Sequence, residues 1–267
     1  MTQTNKTAKL IIKCYLAEPH SDYLETTTNK IQEEREIGYA GFRSRSDLAQ
    51  WLGFWLNGES LTKYHAPDEK EVKVCIKKAF ERCNKLITSE VIHVFVFSTS
   101  SSFVTKYMNG VSGYTPWKST ILVALNAVPS WQYVLTATIA HETVHAIALN
   151  KLKRTTLLDD FVAEGMAEAF REHILKDGQS VFSKAVSKTK SKKIFSNVKN
   201  SLAEPSDNIY GEIFFGTGKY PLWAGYSIGY YIVKDFLKNT GMSNWRKIIM
   251  TPPEKVLELS KWSESIL

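Results

Sequence analysis

Cysteine is scarce in this sequence: 267 residues contain three, Cys14, Cys75 and Cys83. An odd number without Cys-x-x-Cys spacing argues against a disulfide framework and against a zinc ribbon. Three reduced, mostly buried thiols in a reducing compartment are expected. The stretch from Met1 to Lys9 is polar with scattered lysines and lacks the apolar core of a signal peptide. No window is long and apolar enough to span a membrane. The closest, Val134 to Leu149, carries His141, Glu142 and His145, so it reads as a buried helix. A cytoplasmic protein without a membrane partner is expected. Internal repeats are absent. The net charge of +7 is modest and spread along the chain, so it carries no strong nucleic-acid signal. With 43% hydrophobic and 23% charged residues the composition is that of a globular chain. The length suits one large domain or a catalytic domain with a small helical appendage.

Patterning along the chain predicts a mixed architecture. Lys9 to Leu16 and Val91 to Phe97 are apolar runs of β character, and Thr120 to Leu125 is a third. The region from Asp22 to Ile87 reads as helical, with Trp51, Leu52, Phe54, Trp55 and Leu56 as an apolar patch belonging to the core. Asn57-Gly58 and Ala66-Pro67 punctuate it. Residues 1–90 are expected as an N-terminal strand and helical region packed on a catalytic domain of residues 91–267. Asn109 to Tyr114, and the Gly- and Pro-containing stretch Leu202 to Tyr220, read as loops. Helices are expected from Trp131 to Asn150 with Ser130 as N-cap, and from Thr156 to Lys176. Thr156 and Asp159 have the spacing of a capping box, and Gly178 lies just past the end. Ala224 to Leu237 and Glu254 to Trp262 are also expected to be helical. The lysine-rich stretch Ser183 to Asn200 reads as a solvated helix face or loop.

The chemistry concentrates in His141-Glu142-Thr143-Val144-His145. Residues four apart on a helix lie on one face, so the two histidines can converge on one zinc ion. Glu142 is rotated from that face by about 100°. It therefore misses the metal but can take a proton from water at the open position and deliver it to a leaving amine. A catalytic site needs a third ligand, and the helix from Thr156 offers Glu164 and Glu168. Eighteen residues separate His145 from Glu164, enough for a turn and a second helix that carries Glu164 back towards the histidines. His20, His65, His93 and His173 show no ligand spacing and are expected to be structural.

The run His141-Glu142-x-x-His145, eighteen residues, then Glu164-Gly165-Met166-Ala167-Glu168 resembles the gluzincin peptidases. More closely, LLDDFVAEGMAEAF and GYSIGYYIV are similar to the YjaZ-like family of predicted zinc-dependent proteases. That resemblance implies an α+β, zincin-like catalytic domain with a small mixed sheet, an active-site helix and a glutamate helix. It further implies a hydrolase acting on a peptide or protein substrate. Zn²⁺ would be held by His141, His145 and Glu164, with Glu142 as general base. Glu168 would orient a ligand histidine, with Asp160 competing for such a role. Tyr226, in Tyr226-Ser-Ile-Gly229, would donate to the developing oxyanion, with Tyr230 in reserve. In zincins a peptide pairs with an edge strand beside the active-site helix. Thr120 to Asn126 or Gly110 to Tyr114 would be that surface here. The chain departs from the aminopeptidase pattern at Ala163, where that pattern has Asn, and in lacking a Gly-x-Met-Glu-Asn segment. Recognition of a free N-terminus is therefore not expected. Two other readings remain open at this point. One is an intracellular regulator that uses a zinc-stabilised fold to bind a partner. The other is zinc hydrolysis of a non-peptide amide.

Overall fold

The computed structural model describes residues 8–19, 23–34, 45–56, 62–87, 91–149, 154–178, 180–206 and 209–262. The expected Asn57-Gly58 turn, His20 and most of the link between the histidine helix and the Thr156 helix lie outside these residues. The chain divides into two compact units, residues 1–147 and 148–267.

The first unit is built on a four-stranded sheet. In chain order it comprises β1 (Lys9–Tyr15), α1 (Tyr23–Glu34), α2 (Arg45–Leu56), α3 (Glu69–Asn84), β2 (Val91–Ser98), α4 (Ser102–Tyr107), β3 (Val111–Trp117), β4 (Thr120–Leu125) and α5 (Trp131–Ala148). The strand order is β1-β2-β4-β3. β1, β2 and β4 run parallel, and β3 is antiparallel to β4 at the edge. Helices cover both faces, which is why β2 and β4 read as nearly continuous apolar runs. Ile92, Val94 and Val96 pack with Ile121, Val123 and Leu125 against Val72, Ile76 and Phe80 of α3 and Leu135 and Ile139 of α5. Phe95, Phe97 and Leu122 point the other way, onto Tyr23, Leu52 and Leu56.

The expected strands and helices of this unit form, with two corrections. Asn109 to Tyr114 is not a loop: after Asn109 and Gly110, both at positive φ, the chain enters β3. The turn residues there open a hairpin rather than interrupt the fold. Thr120 to Asn126 is not an edge either, because β4 lies between β2 and β3. Ser130 precedes α5 at φ 69°, and its carbonyl accepts the first helical bond from Val134.

The second unit is helical: α6 (Leu157–Leu175), α7 (Lys188–Val198), α8 (Tyr210–Phe215), α9 (Ala224–Thr240), α10 (Trp245–Ile248) and α11 (Pro253–Ser260). The capping box is complete, with the Thr156 hydroxyl accepting from the Asp159 amide and the Asp159 carboxylate accepting from the Thr156 amide. The helix ends on Lys176 in the left-handed region, two residues before Gly178. The lysine-rich stretch forms α7, which buries Ile194, Phe195 and Val198 and leaves Lys188, Lys190 and Lys193 exposed. Leu202 to Tyr220, expected as loop, contains α8, whose Phe214 is fully buried against Phe161.

α6 and α9 form the spine of this unit, and two glycines set their separation. A Cβ on Gly165 would stand 2.1 Å from the Gly229 carbonyl oxygen, and one on Gly229 would stand 2.0 Å from that of Phe161. Neither glycine has positive φ, so the requirement is space, not backbone conformation. Gly229→Ala must push two backbones apart, at a cost of roughly 1–3 kcal/mol or more. Differential scanning calorimetry should show a lowered unfolding midpoint. Gly53→Ala in α2, where the new methyl meets Leu24 at 3.5 Å, should leave the midpoint unchanged or raise it.

Candidate metal centre

α5 presents its histidines from the last turns of a helix anchored by Leu135 and Ile139. The Nε2 atoms of His141 and His145 lie 3.1 Å apart, with the rings tilted at 67°. Zinc–imidazole bonds of about 2.0–2.1 Å at a tetrahedral angle separate the two nitrogens by about 3.3 Å, so this pair fits one ion. A ligand atom from each of His141, His145 and Glu164 lies within 4.8 Å of the other two. Two imidazoles and one carboxylate are a donor set suited to Zn²⁺. Among the described residues this is the one group of three or more His, Cys, Asp or Glu side chains so arranged. His65, His93 and His173 are not in it; His93 stacks on Phe95 and His173 lies against Trp245.

Glu142 is nearly buried, with 6% of its surface exposed. Two residues of the edge strand hold it. The Thr115 hydroxyl donates to Glu142 Oε2 at 2.7 Å and lies 3.3 Å from the Glu142 carbonyl oxygen. Gly113 stands two residues earlier on the same face of β3. A Cβ there would come within 2.7 Å of Glu142 Cγ and 2.8 Å of Glu142 Oε1. Sequence reasoning missed both residues. Gly113 lies in the Asn109 to Tyr114 segment that reads as a loop, and Thr115 directly follows it.

In the second unit, Glu164 is also buried, and Arg154 grips it. The Arg154 guanidinium donates from Nη2 to Glu164 Oε1 at 2.6 Å and from Nε to Asp160 Oδ1 at 2.5 Å. Burial works against a charged guanidinium. The Glu164 and Asp160 carboxylates outweigh it and hold Arg154 protonated well above the usual arginine range. Asp160 and Glu164 thus share one arginine, a link that no local spacing reveals. Glu168 is buried one turn further on, and its carboxylate lies 3.4 Å from the Nε of buried Arg171.

The two candidate tyrosines differ. Tyr230 is buried and its hydroxyl donates to Glu172 at 2.9 Å. Burial first, and then that carboxylate, push its ionisation upward. Tyr226 is only partly buried, among Phe182, Phe214 and Trp223. The three cysteines are free thiols, and burial raises Cys14 to about 11 and Cys83 to about 12.

The donor group has a direct consequence. Elemental analysis of purified protein should find about one zinc per chain, and His145→Ala should lose it. A folded wild-type protein that rejects added zinc would remove the centre.

The family model "Predicted Zn-dependent protease (DUF2268)" matches residues 72–258. No curated protein matches the chain.

Proposed function

Starting from the chain's membership of this family of predicted Zn-dependent proteases, we propose that it is a zinc metallopeptidase with a gluzincin-type, zincin-like site. The observation that carries this reading is the His141, His145 and Glu164 donor group together with a buried carboxylate, Glu142, on the same helix as the two histidines. In this reading those three residues hold the metal. When bound, zinc supplies a Lewis acid that acidifies water and polarises a carbonyl oxygen.

The chain's own residues do the rest. Glu142 takes the proton from the attacking water and passes it to the departing nitrogen. Its burial keeps bulk water from competing for that proton. Tyr226 donates a hydrogen bond to the carbonyl oxygen as negative charge develops on it. The engagement of the Tyr230 hydroxyl by Glu172 favours Tyr226 for this role. Glu168 orients a ligand histidine, and Arg154 and Asp160 fix Glu164. A substrate chain adds to the open edge of β3, the strand that contacts Glu142. With no Gly-x-Met-Glu-Asn segment to hold a free amine, cleavage within a chain is as much expected as cleavage at its end. The free thiols fit a cytoplasmic setting. Among the described residues no helix is long and apolar enough to cross a membrane.

The test is incubation of zinc-loaded protein with a diverse peptide library, with cut sites read by mass spectrometry. Glu142→Gln should retain zinc and lose hydrolysis, and surviving activity would take the base role from Glu142. Tyr226→Phe should lower turnover by roughly 10²-fold with zinc content unchanged; an unchanged rate would take the oxyanion role from Tyr226.

A further inference from the structure

A general base works only if one carboxylate oxygen stays aimed at the water. The side chain of Glu142 has rotatable bonds that helix α5 alone does not fix. β3 supplies two constraints on it. The Thr115 hydroxyl occupies Oε2, and the missing Cβ of Gly113 leaves the space in which Cγ and Oε1 lie. We propose that Thr115 is a positioning residue for Glu142. Its hydroxyl ties down Oε2 so that Oε1 is the oxygen that accepts the proton, and Gly113 sets how close the strand may come. The inference builds on the peptidase reading above.

Three features support it. First, Thr115 and Glu142 are both nearly buried, so an unmade bond there is not replaced cheaply by water. Second, the two contacts come from residues two apart on one strand face, so one rigid element delivers both. Third, β3 is bulged at this point. Tyr114 pairs with Leu122 and Trp117 with Thr120, so three steps on β3 face two on β4. A bulge re-aims the side chains beside it, and Thr115 is one of the two residues it contains. The strand proposed to receive the substrate therefore also holds the base. Backbone pairing and base alignment are coupled through Gly113 and Thr115.

The experiment compares wild type, Thr115→Val and Thr115→Ser, each zinc-loaded, on a quenched-fluorescent peptide built on a sequence that the wild type cuts. Valine matches threonine in shape and lacks the hydroxyl. Thr115→Val should lower kcat by roughly 10- to 100-fold, the scale of a catalytic group displaced by about an ångström. KM should stay within about twofold, since the contact with Glu142 serves the transition state rather than binding. Thr115→Ser restores the donor and should recover most of kcat. Zinc content and melting temperature should match wild type in both variants. Crystal structures should show the Glu142 carboxylate rotated in the valine variant and in place in the serine variant. An unchanged kcat in Thr115→Val overturns the role. So does a loss of zinc or of folding in that variant, which would make Thr115 structural. A zinc-loaded wild type that cuts no peptide overturns the peptidase reading itself, and this role with it.

Discussion

Buried negative charge is the constraint on which the second unit depends. Asp160, Glu164 and Glu168 follow one another at intervals of four along α6, and their exposures are 5%, 4% and 1%. Residues so spaced share one helix face, where like charges repel. Withdrawing each carboxylate from water costs several kcal/mol unless a partner offsets it. Arg154 bridges the first two, and Arg171 pairs with the third while also reaching Asp177 at 3.3 Å. Among the described residues each of these two guanidiniums thus serves two carboxylates. In the proposed reading, a metal held by Glu164 would add to the stability of α6, since any ligand that binds only the folded state stabilises it.

The carboxylate stripe would be useless if the helix were free to rotate. Gly165, next to Glu164, and Gly229, three residues after Tyr226, remove that freedom by letting α6 and α9 meet backbone to backbone. A larger residue at either position would force the helices apart and shift Glu164 and Tyr226 with them. The glycines of the two motifs are therefore packing residues, and the polar residues beside them take their direction from that contact. Ser227 adds a further tie: its hydroxyl donates to the Phe182 carbonyl and accepts from the Val186 amide.

Periodicity and local chemistry were enough to read much of this from the chain. Strands β1, β2 and β4 follow from apolar runs, α6 follows from Thr156 and Asp159 at its start, and the metal group from i, i+4 histidines. Those signals are local, and local signals survive without knowledge of the fold. What sequence reading missed depends on distant neighbours. β3 looks like a turn because it follows Asn109-Gly110 and holds Gly113 and Pro116. It becomes a strand because β4 offers a partner, and Gly113 is kept small by Thr138 and Glu142 of α5, far along the chain. Arg154 is an unremarkable basic residue until the start of α6 brings Asp160 and Glu164 to its guanidinium. α8 was hidden by the Gly-rich stretch around it, and its two terminal phenylalanines show their purpose only once Phe214 packs against Phe161.

The same edge strand bears on what a substrate can be. A strand at the end of a sheet can pair with an extended chain unless something limits it. β3 is short, bulged after Tyr114, and carries Pro116, which has no amide hydrogen to offer. Regular pairing with β4 runs from Val111 to Tyr114. Gly113 lies within that stretch, and Thr115 directly follows it in the bulge. In the proposed reading, a peptide that adds to β3 takes its register beside Glu142. A short, extended segment satisfies that geometry, whereas a chain already folded into a helix or a sheet interior does not.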